Sequence, residues 1–151
     1  MRIQEELEKI QLPRNYKRSG KECFLDPYRK RLIEITPEEI VRQKVAKYCE
    51  ETLKVPAECI MLEIPMSKYV AGANGRADIV IHRKASENAL YPLVVVECKQ
   101  SNVFLTDKVV EQAVRYSDIV GADYFIITNG VDMEIFKFIE ETNNYQKLER
   151  V

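Results

Sequence analysis

Residues 92–99 (PLVVVECK) form the stretch that most limits how this chain can fold. Successive residues of a strand face opposite sides of a sheet, so the run LVVVEC is apolar on both faces. Such a strand is covered on both sides and lies inside a sheet. A second apolar strand is predicted at 123–128 (DYFIIT), and a helical pattern at about 107–120 lies between the two. A helix that connects two central strands makes them parallel, which predicts a mixed sheet.

The rest of the pattern surrounds these two strands with further helices and strands. Thr36 is a candidate N-cap, Pro37 takes the first helical position, and Glu39 completes a capping box. This helix is expected to reach about residue 53. Alternation and turn signals predict three more strands, at 60–66 (IMLEIPM), at 76–82 (RADIVIH) and, after the hairpin signal Asn129-Gly130, at 133–139. The expected fold class is α/β, with a mixed central β-sheet flanked by helices.

The 151 residues are expected to form a single domain, with 36–139 as its core and 1–35 as an N-terminal extension. A short helix at 3–11 and a hairpin of two strands, at 22–25 and 29–35, are predicted in the extension. Seven Lys or Arg and two acidic residues lie between Arg14 and Arg31, a local balance of +5. These basic residues can contact phosphates. Alternatively, they form a solvated loop and edge ribbon.

Composition excludes several classes of protein. Hydrophobic residues make up 46% of the chain, which fits a globular protein, and no apolar run approaches the roughly 20 residues that span a bilayer. The N-terminus has no apolar signal segment, so a cytoplasmic location without membrane contact is expected. The four cysteines form no CxxC pair and His82 is the single histidine, so a structural zinc site is not expected. The cysteines are interpreted as small hydrophobic residues.

Three charged side chains are predicted to meet at one edge of the sheet. Glu97 and Lys99 are two residues apart in a strand, so both emerge on the same face. Asp78 lies beside them if its strand pairs in suitable register. Two carboxylates suit Mg²⁺, which prefers oxygen ligands and keeps several waters, and a lysine can stabilise charge that develops on a phosphate. The pattern indicates hydrolysis of a phosphodiester; the structural alternative is a Glu97–Lys99 pair at a strand end.

Two helices add polar residues to this pattern. Gln112 and Tyr116 are four residues apart and share a helical face, which can point toward the same centre or toward nucleic acid. Glu38 and Arg42 fall within the stripe of the 36–53 helix that is expected to be buried. Charged residues seldom face a core unless they are paired or functional.

Together these residues carry a resemblance to a known family. Five stretches match in family order: ITPEEIVRQ (35–43), GRADIVIH (75–82), LVVVECKQSN (93–102), EQAVRY (111–116) and ADYFIITNG (122–130). The chain resembles the N-terminal nuclease domain of type I restriction-enzyme motor subunits, within the PD-(D/E)xK superfamily, and especially its small stand-alone bacterial members. The resemblance implies a restriction-endonuclease-like core.

The resemblance also implies roles for particular residues. It implies that Asp78 and Glu97 are metal ligands, that Lys99 acts in catalysis, and that Gln112 and Tyr116 form the accessory QxxxY motif. A glutamate of the first helix often joins the site in this superfamily. Glu38 is preferred for its buried face, because the capping box already explains Glu39. Glu63 is a weaker candidate, whose alternative is an exposed strand residue.

Two functions are compatible with these expectations. The first is a Mg²⁺-dependent deoxyribonuclease, with Mn²⁺ as a possible substitute and DNA as its partner. The second is a non-catalytic module of nuclease fold that binds nucleic acid or a partner protein. No GxxxxGK[ST] pattern occurs, so ATP-driven translocation is not expected of this chain alone. Pairing with a second copy or with a partner subunit stays open.

Overall fold

The computed structural model describes residues 1–149 as two β-sheets and three α-helices. The smaller sheet has the order β1 (Asn15–Arg18), β2 (Lys21–Asp26), β3 (Arg31–Glu34). The larger sheet has the order β4 (Ile60–Pro65), β5 (Arg76–Ser86), β6 (Ala89–Cys98), β7 (Tyr124–Thr128), β8 (Met133–Ile139), β9 (Asn144–Leu148). The helices are α1 (Gln4–Glu8), α2 (Pro37–Glu51) and α3 (Asp107–Val120). The predicted α/β class, with a mixed central sheet flanked by helices, is confirmed.

The larger sheet is mixed because one of its pairs is parallel. β6 and β7 run parallel, with Val94 opposite Tyr124 and Cys98 opposite Thr128, whereas every other neighbouring pair is antiparallel. α3 makes the crossover between these two strands, as predicted. The carboxyl ends of both central strands therefore lie at one edge of the sheet.

The structure contains more strand than the pattern predicted. β5 and β6 form a long hairpin that includes residues 83–91, which lie between the strands predicted at 76–82 and 92–99. Exposed strands can carry polar side chains on both faces, so alternation gives no signal there. β9 was not predicted either, because only Tyr145 and Leu148 of its five residues are apolar. The Tyr145 ring packs edge-on against Phe125, which fastens this polar strand to the core.

Helices cover both faces of the larger sheet. The Oγ1 atom of Thr36 accepts a hydrogen bond from the backbone N–H of Glu39 at 3.0 Å, which confirms the predicted N-cap of α2. α1 and α2 pack on one face and α3 on the other, and Gly121 ends α3 with a left-handed φ of 76°. The core lies in these two layers. The face under α1 and α2 is lined by Ile79, Ile81, Val96 and Ile126; the face under α3 by Val80, Val95, Phe125 and Ile127.

β4 changes its orientation at Glu63. Leu62 packs in the layer under α2 and Ile64 packs in the layer under α3, although residues two apart in a regular strand share a face. Glu63 lies between them with a φ of 53°, a left-handed conformation that is strained for a residue with a side chain. Backbone strain of this kind often marks a functional site. Here it lies next to Asp78 of the neighbouring strand.

The N-terminal residues belong to the packed structure. Ile3 and Leu7 are buried in the core cluster under α2, and the backbone N–H of Ile3 donates to the Val131 carbonyl at 2.8 Å. The four cysteines, Cys23, Cys49, Cys59 and Cys98, are buried and unpaired, as predicted. None of the helices in residues 1–149 is long and apolar enough to cross a membrane.

Candidate active site

Asp78 and Glu97 lie side by side in the paired strands β5 and β6. The register aligns Ile79 with Val96, which places the two acidic residues opposite each other. The backbone N–H of Asp78 donates to Glu97 Oε1 at 3.4 Å, and the backbone N–H of Cys98 donates to Asp78 Oδ2 at 2.8 Å. Both side chains are buried. The structure thus brings together the two carboxylates that alternation and register predicted.

Glu97 is a carboxyl group without a close cation. Burial, together with the carboxylate of Asp78, raises the pKa of Glu97 from its usual 4.5 to about 10. The Lys99 ammonium lowers this pKa but does not offset the other two effects. Glu97 therefore carries a proton at neutral pH in the metal-free protein.

Lys99 directly follows β6, and its ammonium acts to lower the pKa of Glu97. Its backbone N–H donates to the Thr128 carbonyl at 2.8 Å, which continues the parallel pairing with β7. Its ammonium also acts to lower the pKa of Glu38, so its charge reaches α2 as well as β6. Among the ion pairs described for residues 1–149, none includes Lys99. The ammonium is therefore near the carboxylates without being locked to one of them.

The guanidinium of Arg42 lies among carboxylates from three elements. Its Nη2 atom is 2.5 Å from Asp78 Oδ1, 2.7 Å from Glu63 Oε1 and 3.0 Å from Glu38 Oε1. Its Nη1 atom pairs with Glu39. The Arg42 side chain is only 6% exposed. The helical period predicts that Arg42 lies in the buried stripe and therefore needs partners. It does not identify those partners.

A chain of ion pairs joins this guanidinium to the N-terminal sheet. Glu39 Oε2 accepts hydrogen bonds from Arg29 Nη2 at 2.5 Å and from Gln43 Nε2 at 3.0 Å. Arg29 also pairs with Asp26, whose side chain is fully buried at the end of β2. Arg29 was grouped with the basic residues that can contact phosphates, but its side chain is 10% exposed and engaged in these pairs. It is therefore part of the interior network.

The two glutamates at the start of α2 have different surroundings. Glu38 was predicted to lie in the buried stripe, which is wrong: its side chain is 42% exposed and that of Glu39 is 4% exposed. Glu39, in the same first turn, is covered because Arg29, Arg42 and Gln43 contact its carboxylate, whereas the one ion pair described for Glu38 in residues 1–149 is that with Arg42. Burial and the nearby Asp78 carboxylate raise the pKa of Glu38. Glu38 is therefore near the acidic pair, whereas Glu39 also contacts Arg29.

Gln112 and Tyr116 form a pair on α3, as their spacing predicted. The Nε2 atom of Gln112 donates to the Tyr116 hydroxyl at 3.3 Å. That hydroxyl lies against Gly75, where an added Cβ atom would be only 2.3 Å from it, and Gly75 has a φ of 95°. The pair is thus held beside the loop that enters β5, three residues before Asp78. No hydrogen bond from it to Asp78, Glu97 or Lys99 is described for residues 1–149.

A family model described as type I restriction enzyme R protein N terminus matches residues 37–151. The chain belongs to this family. A solved structure titled as a fragment of a putative HsdR subunit of a type I restriction enzyme from Vibrio vulnificus YJ016 is 32% identical over 53% of this chain, with a TM-score of 0.36. The match covers 14% of that structure's chain. A search of curated proteins found no match.

The sequence predicts a divalent cation at this centre, with Asp78 and Glu97 as its ligands. Within residues 1–149, no three His, Cys, Asp or Glu side chains are arranged to hold a metal ion. Mg²⁺ can be held by one or two carboxylates with waters completing its shell. Asp78 and Glu97 are adjacent, and burial together with the Asp78 carboxylate raises the pKa of Glu97, an effect that a bound cation would oppose. These two residues therefore fit a hard divalent ion.

Proposed function

We propose that this chain is a metal-dependent nuclease domain that hydrolyses phosphodiester bonds of DNA in a restriction system. The observation that carries the proposal is the contact between Asp78 and Glu97 at the carboxyl end of β6, where the charge of Lys99 acts on Glu97. In open α/β sheets, ligands bind at the carboxyl ends of the strands. Membership of the R-protein N-terminal family supports the same nuclease-like role.

Each residue of the centre has a role in this proposal. Asp78 and Glu97 would hold Mg²⁺ or Mn²⁺, which when bound makes water easier to deprotonate and screens the charge of the phosphate. Glu97 gives up its proton to become a ligand. Lys99 orients the attacking water or stabilises the negative charge that develops on the phosphate. Glu38 is assigned as the helix glutamate of the centre.

Gln112 and Tyr116 are proposed to position substrate rather than to act in the chemistry. Their hydrogen bond and the close contact of Tyr116 with Gly75 fix them beside the loop that leads to Asp78. Phe104, which is 84% exposed on the loop between Lys99 and α3, offers a face on which a base can stack. Exposed basic side chains of the N-terminal sheet can contact phosphates. The clearest are Arg14, Lys17, Arg18, Lys21, Lys30 and Arg31.

The alternative is a module of nuclease fold that binds nucleic acid or a partner protein without turnover. One observation favours it: Arg42 already pairs with Asp78, so this carboxylate is compensated in the absence of metal.

A cleavage assay separates the two functions. The purified protein is incubated with linear, nicked and single-stranded DNA in Mg²⁺, Mn²⁺ or EDTA, beside Lys99→Ala and Asp78→Asn. We expect metal-dependent cleavage by the parent and a loss of at least about 100-fold in both variants. The matched control is Lys108→Ala, which removes an exposed lysine in the first turn of α3 and is expected to cleave like the parent. Binding without cleavage under every condition would support the module instead.

A further inference from the structure

One nitrogen of Arg42 has the surroundings of a bound cation. Carboxylate oxygens from Glu38, Glu63 and Asp78 lie within 3.0 Å of its Nη2 atom, and these residues come from α2, β4 and β5. A single buried positive charge therefore links acidic side chains from three elements. Without it, like charges would face one another in a region of low dielectric constant.

The same contacts place Arg42 in competition with a divalent ion. Asp78 is proposed to be a metal ligand. Its Oδ1 atom accepts a hydrogen bond from Arg42 Nη2 at 2.5 Å. A metal ion at Asp78 would lie a few ångströms from a guanidinium of the same sign, and this repulsion is strong where water is excluded. Both cations would also draw on the same carboxylate group. The charge of Arg42 therefore opposes metal binding while it stabilises the metal-free protein.

The nitrogen atoms of the Arg42 guanidinium differ in how completely they are hydrogen-bonded. Glu39 holds its Nη1 atom and is itself held by Arg29 and Gln43. The Nε atom of Arg42 is buried without a hydrogen-bond partner among the described residues. A buried donor without a hydrogen-bond partner costs free energy. Reorienting the guanidinium therefore costs less free energy than it would if all of its donors were hydrogen-bonded. Glu39 keeps the side chain near the centre when Asp78 is released.

We propose that Arg42 is a positioning residue that acts as a resident counter-cation: it holds Glu38, Glu63 and Asp78 together in the metal-free protein and sets the affinity for a divalent ion by competing for Asp78. This inference rests on the proposed metal-dependent function and deepens it. In this role Arg42 competes with the metal ion for Asp78 and does not contact the scissile phosphate.

Metal binding without DNA tests this role. Mn²⁺ is titrated calorimetrically into the parent, Arg42→Met and Arg42→Lys. Arg42→Met is expected to bind Mn²⁺ at least about tenfold more tightly, because it removes a like charge from the metal's surroundings. Arg42→Lys keeps the charge but cannot reach all the carboxylates with one ammonium, so its affinity is expected between the other two.

The matched control is Lys44→Met, which removes one positive charge from the same helix. Lys44 takes part in none of the ion pairs described for residues 1–149. Its Mn²⁺ affinity is expected to stay within about twofold of the parent, because a charge that is not directed at the site contributes little. A tenfold gain in this control as well would overturn the proposal, since net charge alone would then explain the effect.

Thermal melting adds a second measurement. In EDTA, Arg42→Met should melt below the parent, and Mn²⁺ should raise its melting temperature by more than it raises that of the parent. If Arg42→Met folds only when Mn²⁺ is present, the exchange of one cation for another is supported. Equal or weaker Mn²⁺ affinity in Arg42→Met, or failure to fold with and without Mn²⁺ while Arg42→Lys binds like the parent, overturns the proposal. DNA cleavage is not measured, so a parent without nuclease activity would sink the proposed function and leave this result intact.

Discussion

The two carboxyl groups of the acidic centre, on Asp78 and Glu97, have different partners. On the side of α2, the Asp78 carboxylate faces the guanidinium of Arg42. On the side of β6, Glu97 has a backbone N–H at 3.4 Å and no ion pair among those described for residues 1–149, and its pKa is raised to about 10. The exposures are 6% for Asp78 and 2% for Glu97. A cation at contact distance, more than burial, thus distinguishes the paired acid from the unpaired one.

Each acid of the pair has a different obstacle to metal binding. Asp78 is already paired with Arg42, whereas Glu97 has to lose a proton before it can bind a cation. Metal binding to this pair is therefore expected to release a proton. Two variants test the paired and the unpaired acid and two test ion pairs elsewhere, in order of decreasing effect on the free energy of unfolding.

Arg29→Met is expected to have the largest effect, a loss of about 3 kcal/mol of stability, because it leaves buried Asp26 without its cation and weakens the hold on Glu39. Urea unfolding in EDTA measures it. Arg29→Lys is the control and should recover part of the loss. A loss no greater than that of an exposed ion pair would mean that the N-terminal sheet is not anchored to the centre through this chain of pairs.

Asp78→Asn is expected to lower the free energy of unfolding by about 2 kcal/mol in EDTA, because Arg42 loses its nearest carboxylate. Repulsion between Asp78 and Glu97 acting alone predicts the opposite sign, a protein at least as stable as the parent. Urea unfolding of the variant beside the parent decides between the two. Unchanged or increased stability would remove the distinction between the paired and the unpaired acid.

Glu97→Gln is expected to raise stability by about 1 kcal/mol at pH 8 in EDTA, because it removes a buried group that resists ionisation. The folded pKa of Glu97 lies above the unfolded value, so between about pH 4.5 and pH 10 the folded state keeps a proton that the unfolded state has lost. This group's contribution to stability is therefore full below pH 4.5 and falls as the pH rises through that window. Melting temperatures from pH 5 to pH 9 should decline less steeply in the variant; parallel slopes would contradict the raised pKa.

Lys47→Ala is expected to have the smallest effect, about 0.5 kcal/mol or less. Lys47 pairs with Glu50 at 3.5 Å and with Glu51 at 3.8 Å on the outer side of α2, and its side chain is 33% exposed. It tests whether ion pairs on this helix matter in general or only where they are buried. A cost comparable to that of Arg29→Met in the same urea titration would show that burial is not the deciding factor.

The strands and helices around the centre were predictable because their signals are local. The apolar run of β6, the N-cap at Thr36 and the glycine that ends α3 each depend on a few neighbouring residues. The polar strand β9 and the outer half of the β5–β6 hairpin could not be predicted, because pairing with a neighbour rather than their own composition makes them strands.

The carboxylate pair could be predicted from strand alternation, but the partners of Arg42 could not. Arg42 and Asp78 are 36 residues apart, and no periodicity links them. Periodicity indicates that Arg42 is buried and hence needs a partner, without saying which acid it meets. The alternative predicted for Glu63 was an exposed strand residue. Its left-handed backbone instead turns its side chain toward the guanidinium. What stays a prediction is the catalytic role of each of these side chains.

The left-handed backbone at Glu63 also disfavours aggregation between copies of the protein. β4 is an outer strand of the larger sheet, and such borders can template the growth of aggregates by recruiting further strands. The twist at Glu63 interrupts the row of backbone groups that an incoming strand would need, and Pro65 ends the row without an N–H. The conformation that bends an acid toward the centre thus also blocks fibril-like extension of the sheet at β4.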